Sequence, residues 1–298
     1  MATEPLTLLA VPNLSEGADA TVIAALSEAV GSGAALLDRH SDPTHNRTVL
    51  TIGGTADSLI EAVTAVAAVA IERIDMGRHE GAHPCVGAID VAPVVFVSPA
   101  DQAAATAVAE ALADRLADLG LPVFFYGLLG SAPGREERAF FRRGGLEALA
   151  ARMSTGGLIP DLGPEIPHPT AGAVLITARP PLAAFNVELE AASIAEAGTI
   201  AASVRESGGG LPGVRAIAID LPGPRVQIST NVHDPVAVPL AEVIERIAEH
   251  AGHFDARVAA TELLGLVPEA ALAAFPTEIP TLGGDVFART IEARLAAG

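Results

Sequence analysis

Hydrophobic residues along this chain follow two periods, and in the first half they occur in the order strand, helix, strand, strand, helix, strand. Short apolar runs predict the strands at 6–11, 34–38, 47–53 and 87–97. Apolar residues that recur every three or four positions predict the helices at 18–30 and 57–74. The polar loop 39–46 is short, so an antiparallel hairpin is its natural connection. This βαββαβ order is typical of a ferredoxin-like unit.

The same order of elements returns in the second half. A helix at 100–119, a strand at 123–126 and a charged helix at 135–153 extend the first unit. The segment 154–172, rich in Gly and Pro and without periodicity, is a candidate linker or ligand loop. A strand at 173–178 then opens a second set, with strands at 183–190, 214–221, 225–231 and 256–264, helices at 194–206 and 238–250, and closing helices at 268–275 and 284–297.

We therefore predict an α/β protein of the α+β type, with two ferredoxin-like βαββαβ subdomains, 1–172 and 173–298, and a ligand cleft between them. The repeat is one of element order, since the two halves share little sequence. Clefts between domains are common places for small-molecule sites.

Charge and composition narrow the classes of partner. The chain has 36 acidic residues against 18 Lys and Arg, a formal charge of -18, which argues against a nucleic acid or an anionic membrane surface as partner. One cysteine cannot form an internal disulfide, and the N-terminus lacks a basic signal region, so we expect a cytoplasmic protein. The longest strongly apolar run, 62–71, is too short to cross a membrane.

The stretch 75–90 is the main candidate for chemistry, because it holds two histidines, the single cysteine and three glycines. His79 to His83 spells the zinc-protease string H-E-x-x-H, but such a site needs both histidines on one helix face. Gly77, Gly81 and Pro84 predict a loop instead. We expect no metal here, with a metal-dependent hydrolase using His79, Glu80 and His83 as the alternative.

Other nucleophile and phosphate motifs are missing from the sequence. The run Gly208-Gly209-Gly210 follows a helix rather than a strand, so it indicates a turn, and no G-x-S-x-G elbow occurs. Ser15 is expected to cap the first helix. Cys85 has no reason to face His83 and is expected to fill space at a strand entrance.

Several motifs spread along the chain resemble those of the glutamate formimidoyltransferase family. They are Val11 to Gly17, Asn46 to Val49, Ile74 to Val91 with its His-Pro pair, Asp161 to Pro164, Ala178-Arg179 with Ala184 to Asn186, Gln227 to Asn231, and Glu262 to Pro268. The resemblance covers nearly the whole chain.

This resemblance implies a homodimeric two-subdomain enzyme that moves a formimino group between N-formimino-L-glutamate and tetrahydrofolate in histidine degradation and one-carbon metabolism. The family's catalytic histidine matches His83, and its folate-contacting loop corresponds to 163–172. The implied residues that bind substrate or the tetrahydrofolate co-substrate are Asn13, Glu16, His40, Arg47, Gly81, Gly163, Pro164, Thr170, Gly172, Arg179 and Asn186.

The chemistry suits a histidine. Transfer passes through a tetrahedral carbon that carries two nitrogens, so one nitrogen must lose a proton to attack and the other must gain one to leave. An imidazole can do both near neutral pH. Arg47, Arg78 or Arg179 could hold the glutamate carboxylates.

Two positions depart from the family's pattern. Cys85 stands where arginine follows the His-Pro pair, and His40 stands where the hairpin carries an acidic residue. Replacing arginine by cysteine removes five donors and a permanent charge. Two alternatives therefore stay open: a family member with an altered substrate, and a non-catalytic protein that binds folate or an amino acid.

Overall fold

The structure, a computed structural model, describes residues 8–81 and 84–297. The chain divides into two compact units, Met1–Pro180 and Pro181–Gly298, and each is described by itself. In the first unit the elements are, in chain order, β1 (Leu8–Ala10), β2 (Asn13–Leu14), α1 (Ala20–Glu28), β3 (Ala35–Asp42), β4 (Arg47–Gly54), α2 (Ala56–Arg73), β5 (Ile89–Val95), α3 (Gln102–Asp118), β6 (Val123–Phe125), α4 (Arg138–Arg142), α5 (Gly145–Ser154) and β7 (Val174–Arg179).

The first sheet begins as a ferredoxin-like sheet. β1 and β2 are two halves of one interrupted strand, because both pair antiparallel with β4 on one side and β5 on the other. β3 pairs with β4, so the order is β3, β4, β1 with β2, and β5. This confirms the first predicted βαββαβ unit. β7 then adds to β5, and β6 adds to β7, both in parallel.

The strand predicted at 173–178 belongs to the first unit, so its assignment to the second half was wrong. It forms as β7, pairs with β5 and β6, and is the last strand before the division at Pro180. The periodicity identified a strand, but a strand's own pattern does not say which sheet it will join.

Alternate residues of the parallel strands face two separate cores. Val174 and Ile176 belong to the core that α3 and the other long helices form on one face of the sheet. Leu175, between them, packs with Phe141 of α4 and Leu149 of α5. This alternation is what a strand period of two requires. The pair α4 and α5 therefore covers the face opposite the long helices, and it carries arginines toward that face.

The charged helix predicted at 135–153 is broken in two. Gly144 and Gly145 have φ angles of 77° and 70°, in the left-handed region that glycine adopts without steric cost. The chain consequently ends α4 at Arg142 and begins α5 at Gly145.

The second unit contains β8 (Ala183–Glu190), α6 (Ile194–Val204), β9 (Val214–Asp220), β10 (Arg225–Val232), α7 (Leu240–Gly252), β11 (Arg257–Leu264), β12 (Thr281–Leu282) and α8 (Ile291–Ala297). Its sheet order is β12, β11, β8, β10, β9, which confirms the second βαββαβ unit with one short parallel edge strand added. The closing helices are shorter than predicted, because Glu269–Leu272 and Val286–Arg289 form 3-10 turns.

The fold class is therefore α+β with two ferredoxin-like subdomains, as predicted. The ligand cleft between them stays a prediction. Within residues 8–81 and 84–297, no helix has both the length and the hydrophobicity needed to cross a membrane.

Candidate active site

A pocket lies where the first sheet meets the stretch 75–90. Residues from β2, from the turn between β3 and β4, and from that stretch line it together: Asn13, Leu14, Ser15, His45, Asn46, Arg47, His79, Cys85 and Asp90. Two predicted binding residues, Asn13 and Arg47, are therefore brought together here. His83 lies outside the described residues.

Asn46 joins three segments around this pocket. Its Oδ1 accepts a hydrogen bond from the Gly17 amide at 2.8 Å, and its Nδ2 donates to the Glu80 carbonyl at 2.8 Å. Its φ angle is 47°, a left-handed conformation that Asn tolerates better than most residues. A Cβ on Gly81 would lie 2.7 Å from the His45 carbonyl oxygen, so this close approach requires glycine.

The hairpin turn carries a hydrogen-bonded pair of His45 and Asp42. His45 Nδ1 lies 2.5 Å from Asp42 Oδ2, and Asp42 Oδ1 accepts from the amides of Thr44 and His45. Burial raises the pKa of Asp42, but the hydrogen bonds from His45 and Thr44 outweigh it and hold that pKa below its ordinary value. The predicted hairpin is confirmed, although His40 lies within β3, opposite Val49, rather than in its loop.

Asp90 is the buried acid of the site, with only 2% of its surface exposed. Its Oδ1 accepts a hydrogen bond from the Val86 amide at 2.8 Å, and its Oδ2 accepts from Arg142 Nη2. One carboxylate thus ties the segment after Cys85 to β5 and anchors α4 over the sheet. A buried charge is tolerated where it is paired and hydrogen-bonded in this way.

Arginines collect around this acid. Arg47 lies within electrostatic reach of Arg138, Arg142, Asp42 and Asp90. Burial lowers the pKa of Arg47, Asp42 opposes that shift, and Arg142 and Arg138 reinforce it. Its buried Nε has no hydrogen-bond partner within the described part of the chain. An anionic ligand would supply that partner.

The cationic region continues to Arg179 and Tyr126. Arg179 ends β7 and donates to the Pro180 carbonyl at 3.0 Å. Burial lowers the pKa of Arg179 to about 10, with Tyr126 opposing and Arg138 adding to the shift, so the guanidinium stays charged at neutral pH. Burial also raises the pKa of Tyr126, against the effect of Arg138, Arg179 and Arg142. The phenol is therefore neutral and can donate a hydrogen bond.

The far end of the predicted folate loop is attached to the stretch 75–90. The amides of Met76, Ala88 and Ala173 donate to the carbonyls of Thr170, Ala171 and Val86 at 2.7, 2.9 and 2.9 Å. Gly172 has a φ of 70°, and a Cβ there would lie 2.2 Å from the Val86 carbonyl oxygen. Thr170 and Gly172 thus border the candidate site through their backbones.

The near end of the loop lies elsewhere. A Cβ on Gly163 would lie 2.3 Å from the carbonyl oxygen of Leu121, ahead of β6, and Pro164 is exposed. Neither residue lines the pocket. Their place in a folate site stays a prediction.

Two other predicted binding residues form hydrogen bonds to neighbouring groups of the protein. Glu16 Oε1 accepts from the amides of Ala18 and Asp19 at 2.7 and 2.8 Å, ahead of α1. Asn186, in the second unit, donates to Glu262 Oε2 at 2.9 Å on the neighbouring strand. Arg78, considered for the glutamate carboxylates, is exposed.

Ser15 does not cap the first helix, so that expectation was wrong. Its hydroxyl donates to the Gly87 carbonyl at 2.7 Å, and Asp19 accepts from the Thr21 and Val22 amides as the cap. Ser15 therefore holds the segment after Cys85 against β2.

Sequence reasoning missed Asp90, Tyr126, Arg138 and Arg142 as site residues. Asp90 had a signal, because it is a charge inside an otherwise apolar buried strand, where an acid needs a partner. Arg138 and Arg142 are four residues apart, the spacing of one helix face. That this face would meet Asp90 depends on tertiary packing.

The zinc-site string is not helical where it is described. His79 and Glu80 lie in irregular backbone, as predicted from the neighbouring glycines. Within residues 8–81 and 84–297, no group of three or more His, Cys, Asp or Glu side chains is arranged to hold a metal.

Comparison with known proteins identifies both units. The model described as "Formiminotransferase domain, N-terminal subdomain" matches residues 7–179, and that described as "Formiminotransferase domain" matches 184–276. The chain is 36% identical to the glutamate formimidoyltransferase of Streptococcus pyogenes serotype M1, across 88% of this chain and 89% of that protein. It is 33% identical to that of Thermoplasma acidophilum, across 88% of each.

A longer relative shows the same similarity over part of its length. The formimidoyltransferase-cyclodeaminase of Sus scrofa is 38% identical across 88% of this chain, which spans 50% of that protein. With two family models matching in sequence order and relatives matching over most of its length, the chain belongs to the formiminotransferase family.

Proposed function

We propose that this protein transfers a formimino group between N-formimino-L-glutamate and tetrahydrofolate. The observation that carries this proposal is the match of both units to the formiminotransferase models, together with relatives that are named glutamate formimidoyltransferases. It is a transferase, and its small-molecule substrates are the glutamate derivative and the folate. No finding supports the alternatives of an altered substrate, a binding-only protein or a hydrolase.

The electrostatics of the pocket support anionic substrates. Both substrates carry carboxylates, whereas the chain as a whole carries a formal charge of -18. Arg47 faces the pocket with a buried Nε that lacks a hydrogen-bond partner among the described residues. A guanidinium in this position can bind a carboxylate through charge-assisted hydrogen bonds.

His83 is the proposed proton shuttle. A ring nitrogen of tetrahydrofolate attacks the formimino carbon, forming a carbon–nitrogen bond and a tetrahedral intermediate. The imidazole takes the proton from the attacking nitrogen and returns one to the glutamate nitrogen, whose bond to that carbon then breaks. Glutamate leaves with its amine, and the formimino group stays on the folate.

Cys85 and Asp90 support this chemistry without sharing the proton transfer. Burial raises the pKa of the Cys85 thiol, and the hydrogen bond with Ser15 offsets part of that shift, so the thiol is neutral at pH 7. Asp90 fixes the backbone at Val86, three residues after His83. We also propose, from family membership alone, that the protein is a cytoplasmic homodimer.

The test is a transfer assay with both substrates, following formation of formimino-tetrahydrofolate. We expect His83→Ala to lower kcat about 100- to 10,000-fold, the usual contribution of general acid–base catalysis. His253→Ala, which changes an exposed histidine of the second unit, is the matched control and should keep full activity. Full activity of a folded His83→Ala protein would remove His83 from the mechanism, and an inactive wild type would refute the transfer itself.

A further inference from the structure

We infer that Arg138 and Arg179, together with Tyr126, form a subsite that binds a carboxylate of one substrate. This inference rests on the proposed function for the identity of the ligand. It concerns a second group of cations beyond the pocket lined by Arg47 and Cys85. Arg138 was not among the residues predicted from the sequence.

The short helix α4 places Arg138 over the sheet. Arg138 and Arg142 are one turn apart on this helix, so their side chains leave from the same face. Arg142 is held by Asp90 of β5, and Phe141 is fully buried against Phe124 with ring centroids 5.4 Å apart. These two contacts fix the rotation of α4, and Arg138 is directed to the same side as Arg142.

Tyr126 and Arg179 come from the ends of two neighbouring parallel strands. The Tyr126 amide, directly after β6, donates to the Ile176 carbonyl of β7 at 3.1 Å. Arg179 ends β7, three residues later. Ends of parallel strands on the carboxyl side are common ligand positions in α/β proteins. Tyr126 is 6% exposed, and both arginines are near enough to affect its ionisation.

The counter-charge expected for these arginines is missing from the described residues. Arg138 forms no hydrogen bond or ion pair within 8–81 and 84–297, and Arg179 donates to the Pro180 carbonyl. The nearest buried acid, Asp90, is already bound to Arg142. Yet acidic residues outnumber Lys and Arg two to one in this chain, 36 to 18. A partly buried cationic pair without an acid is costly unless a ligand supplies the anion.

The donor groups fit a carboxylate. A guanidinium presents a planar fork of N–H groups that matches two carboxylate oxygens, and a neutral phenol adds one more donor. Arg138 also lies within electrostatic reach of Arg47. The subsite and the pocket therefore belong to one cationic region of the first unit. The carboxylate can come from N-formimino-L-glutamate or from the glutamyl group of tetrahydrofolate.

The test compares Arg138→Gln with Arg143→Gln in the full chain. Arg143 is exposed at the end of the same helix and controls for the loss of one positive charge. KM is measured for each substrate, and binding of N-formimino-L-glutamate, tetrahydrofolate and tetrahydropteroate, which lacks the glutamyl group, is measured by calorimetry. Losing a charge-assisted hydrogen bond should weaken binding about ten- to hundredfold.

The outcomes separate the two sources of the carboxylate. If Arg138→Gln raises KM for formimino-glutamate alone, the subsite binds the donor. If it weakens binding of tetrahydrofolate but not of tetrahydropteroate, the subsite binds the folate's glutamyl group. Arg138→Lys, which keeps the charge, should recover part of the loss in either case. Equal binding by Arg138→Gln and Arg143→Gln would overturn the inference.

Calorimetry also keeps this inference distinct from the proposed function. A wild-type protein that binds a substrate through Arg138 without transferring the formimino group would refute the function and support the subsite. A wild-type protein that binds neither substrate would overturn the subsite as well.

Discussion

At the scale of residues, the site depends on a few side chains that connect two segments of the chain, because each of their two polar atoms forms its own hydrogen bond. Asp90 holds Val86 with one oxygen and Arg142 with the other, and Asn46 holds Gly17 and Glu80. Asn13 and Arg47 could be named as site residues before the structure was known, because the family resemblance implies them. Arg138, Arg142 and Tyr126 could not be named, because the sequence of a helix or of a strand end does not show which side chains it will meet in the folded protein.

Cys85 offers a prediction at this scale. Burial raises the pKa of its thiol, so at any pH below that pKa the folded protein holds less of the reactive thiolate than the unfolded chain does. We expect iodoacetamide at pH 8 to modify folded Cys85 about tenfold more slowly than the chain in 8 M urea. The rate in the folded protein should still be rising at pH values where the unfolded chain has reached its plateau.

Intact mass reports this reaction directly, because Cys85 is the only cysteine in the chain. Equal rates for the folded and unfolded protein would contradict the raised pKa of the half-buried thiol. Bound substrate should slow the folded reaction further, since Cys85 lines the pocket.

At the scale of elements, backbone contacts bring the two predicted site segments together. Thr170, Ala171 and Ala173 bond to the stretch from Met76 to Ala88. Helices and strands were readable from the sequence because each shows its own period, whereas this junction was not, because irregular segments have none. The break at Gly144 was likewise missed, since an apolar period can run through two glycines without interruption.

Gly172 and Gly156 give a matched pair of substitutions for this junction. Their φ angles are 70° and 69°, but a Cβ meets the Val86 carbonyl oxygen at 2.2 Å in Gly172 and finds no atom within 4 Å in Gly156. Gly156→Ala should cost about 1–2 kcal/mol of unfolding free energy from the left-handed backbone alone. Gly172→Ala should cost about 1–3 kcal/mol more, because the backbones must separate.

Urea unfolding of the two variants measures the difference, with the slope of each transition checked against wild type. Gly172→Ala should also reduce transfer activity, whereas Gly156→Ala should not. Equal losses of stability in the two variants would mean that the close approach of Gly172 to Val86 does not add to the cost in unfolding free energy.

At the scale of the whole molecule, a strongly negative protein is proposed to bind two negative substrates. At low ionic strength the formal charge of -18 repels them over distances of about 30 Å, whereas the partly buried arginines attract them at short range. Salt screens the long-range repulsion by the net charge more than the short-range attraction by the arginines. We expect KM for N-formimino-L-glutamate to fall about two- to fivefold between 10 and 150 mM NaCl.

Steady-state assays over that salt range provide the measurement, with Arg143→Gln as a variant that changes net charge without changing the site. A KM that rises with salt would show that short-range attraction, rather than repulsion by the whole chain, controls binding.

The architecture of both units could be predicted because the same βαββαβ order of elements occurs in each half. Finding this order twice supports the assignment of elements in both halves. The extension of the first sheet could not. From its sequence, the strand at 173–178 was expected to begin the second unit. Its pairing with β5 and β6 assigns it to the first unit.

That extension has a consequence for how the chain folds. β6 is held in the sheet by β7, which follows it about fifty residues later in the sequence. During synthesis, the ferredoxin-like part of the first unit can form before β7, the strand that pairs with β6, has been made. Closing such a loop costs entropy before any pairing is gained, so β6 and β7 should dock late. The arginines of α4, which lies between these strands in sequence, reach their positions in that last step.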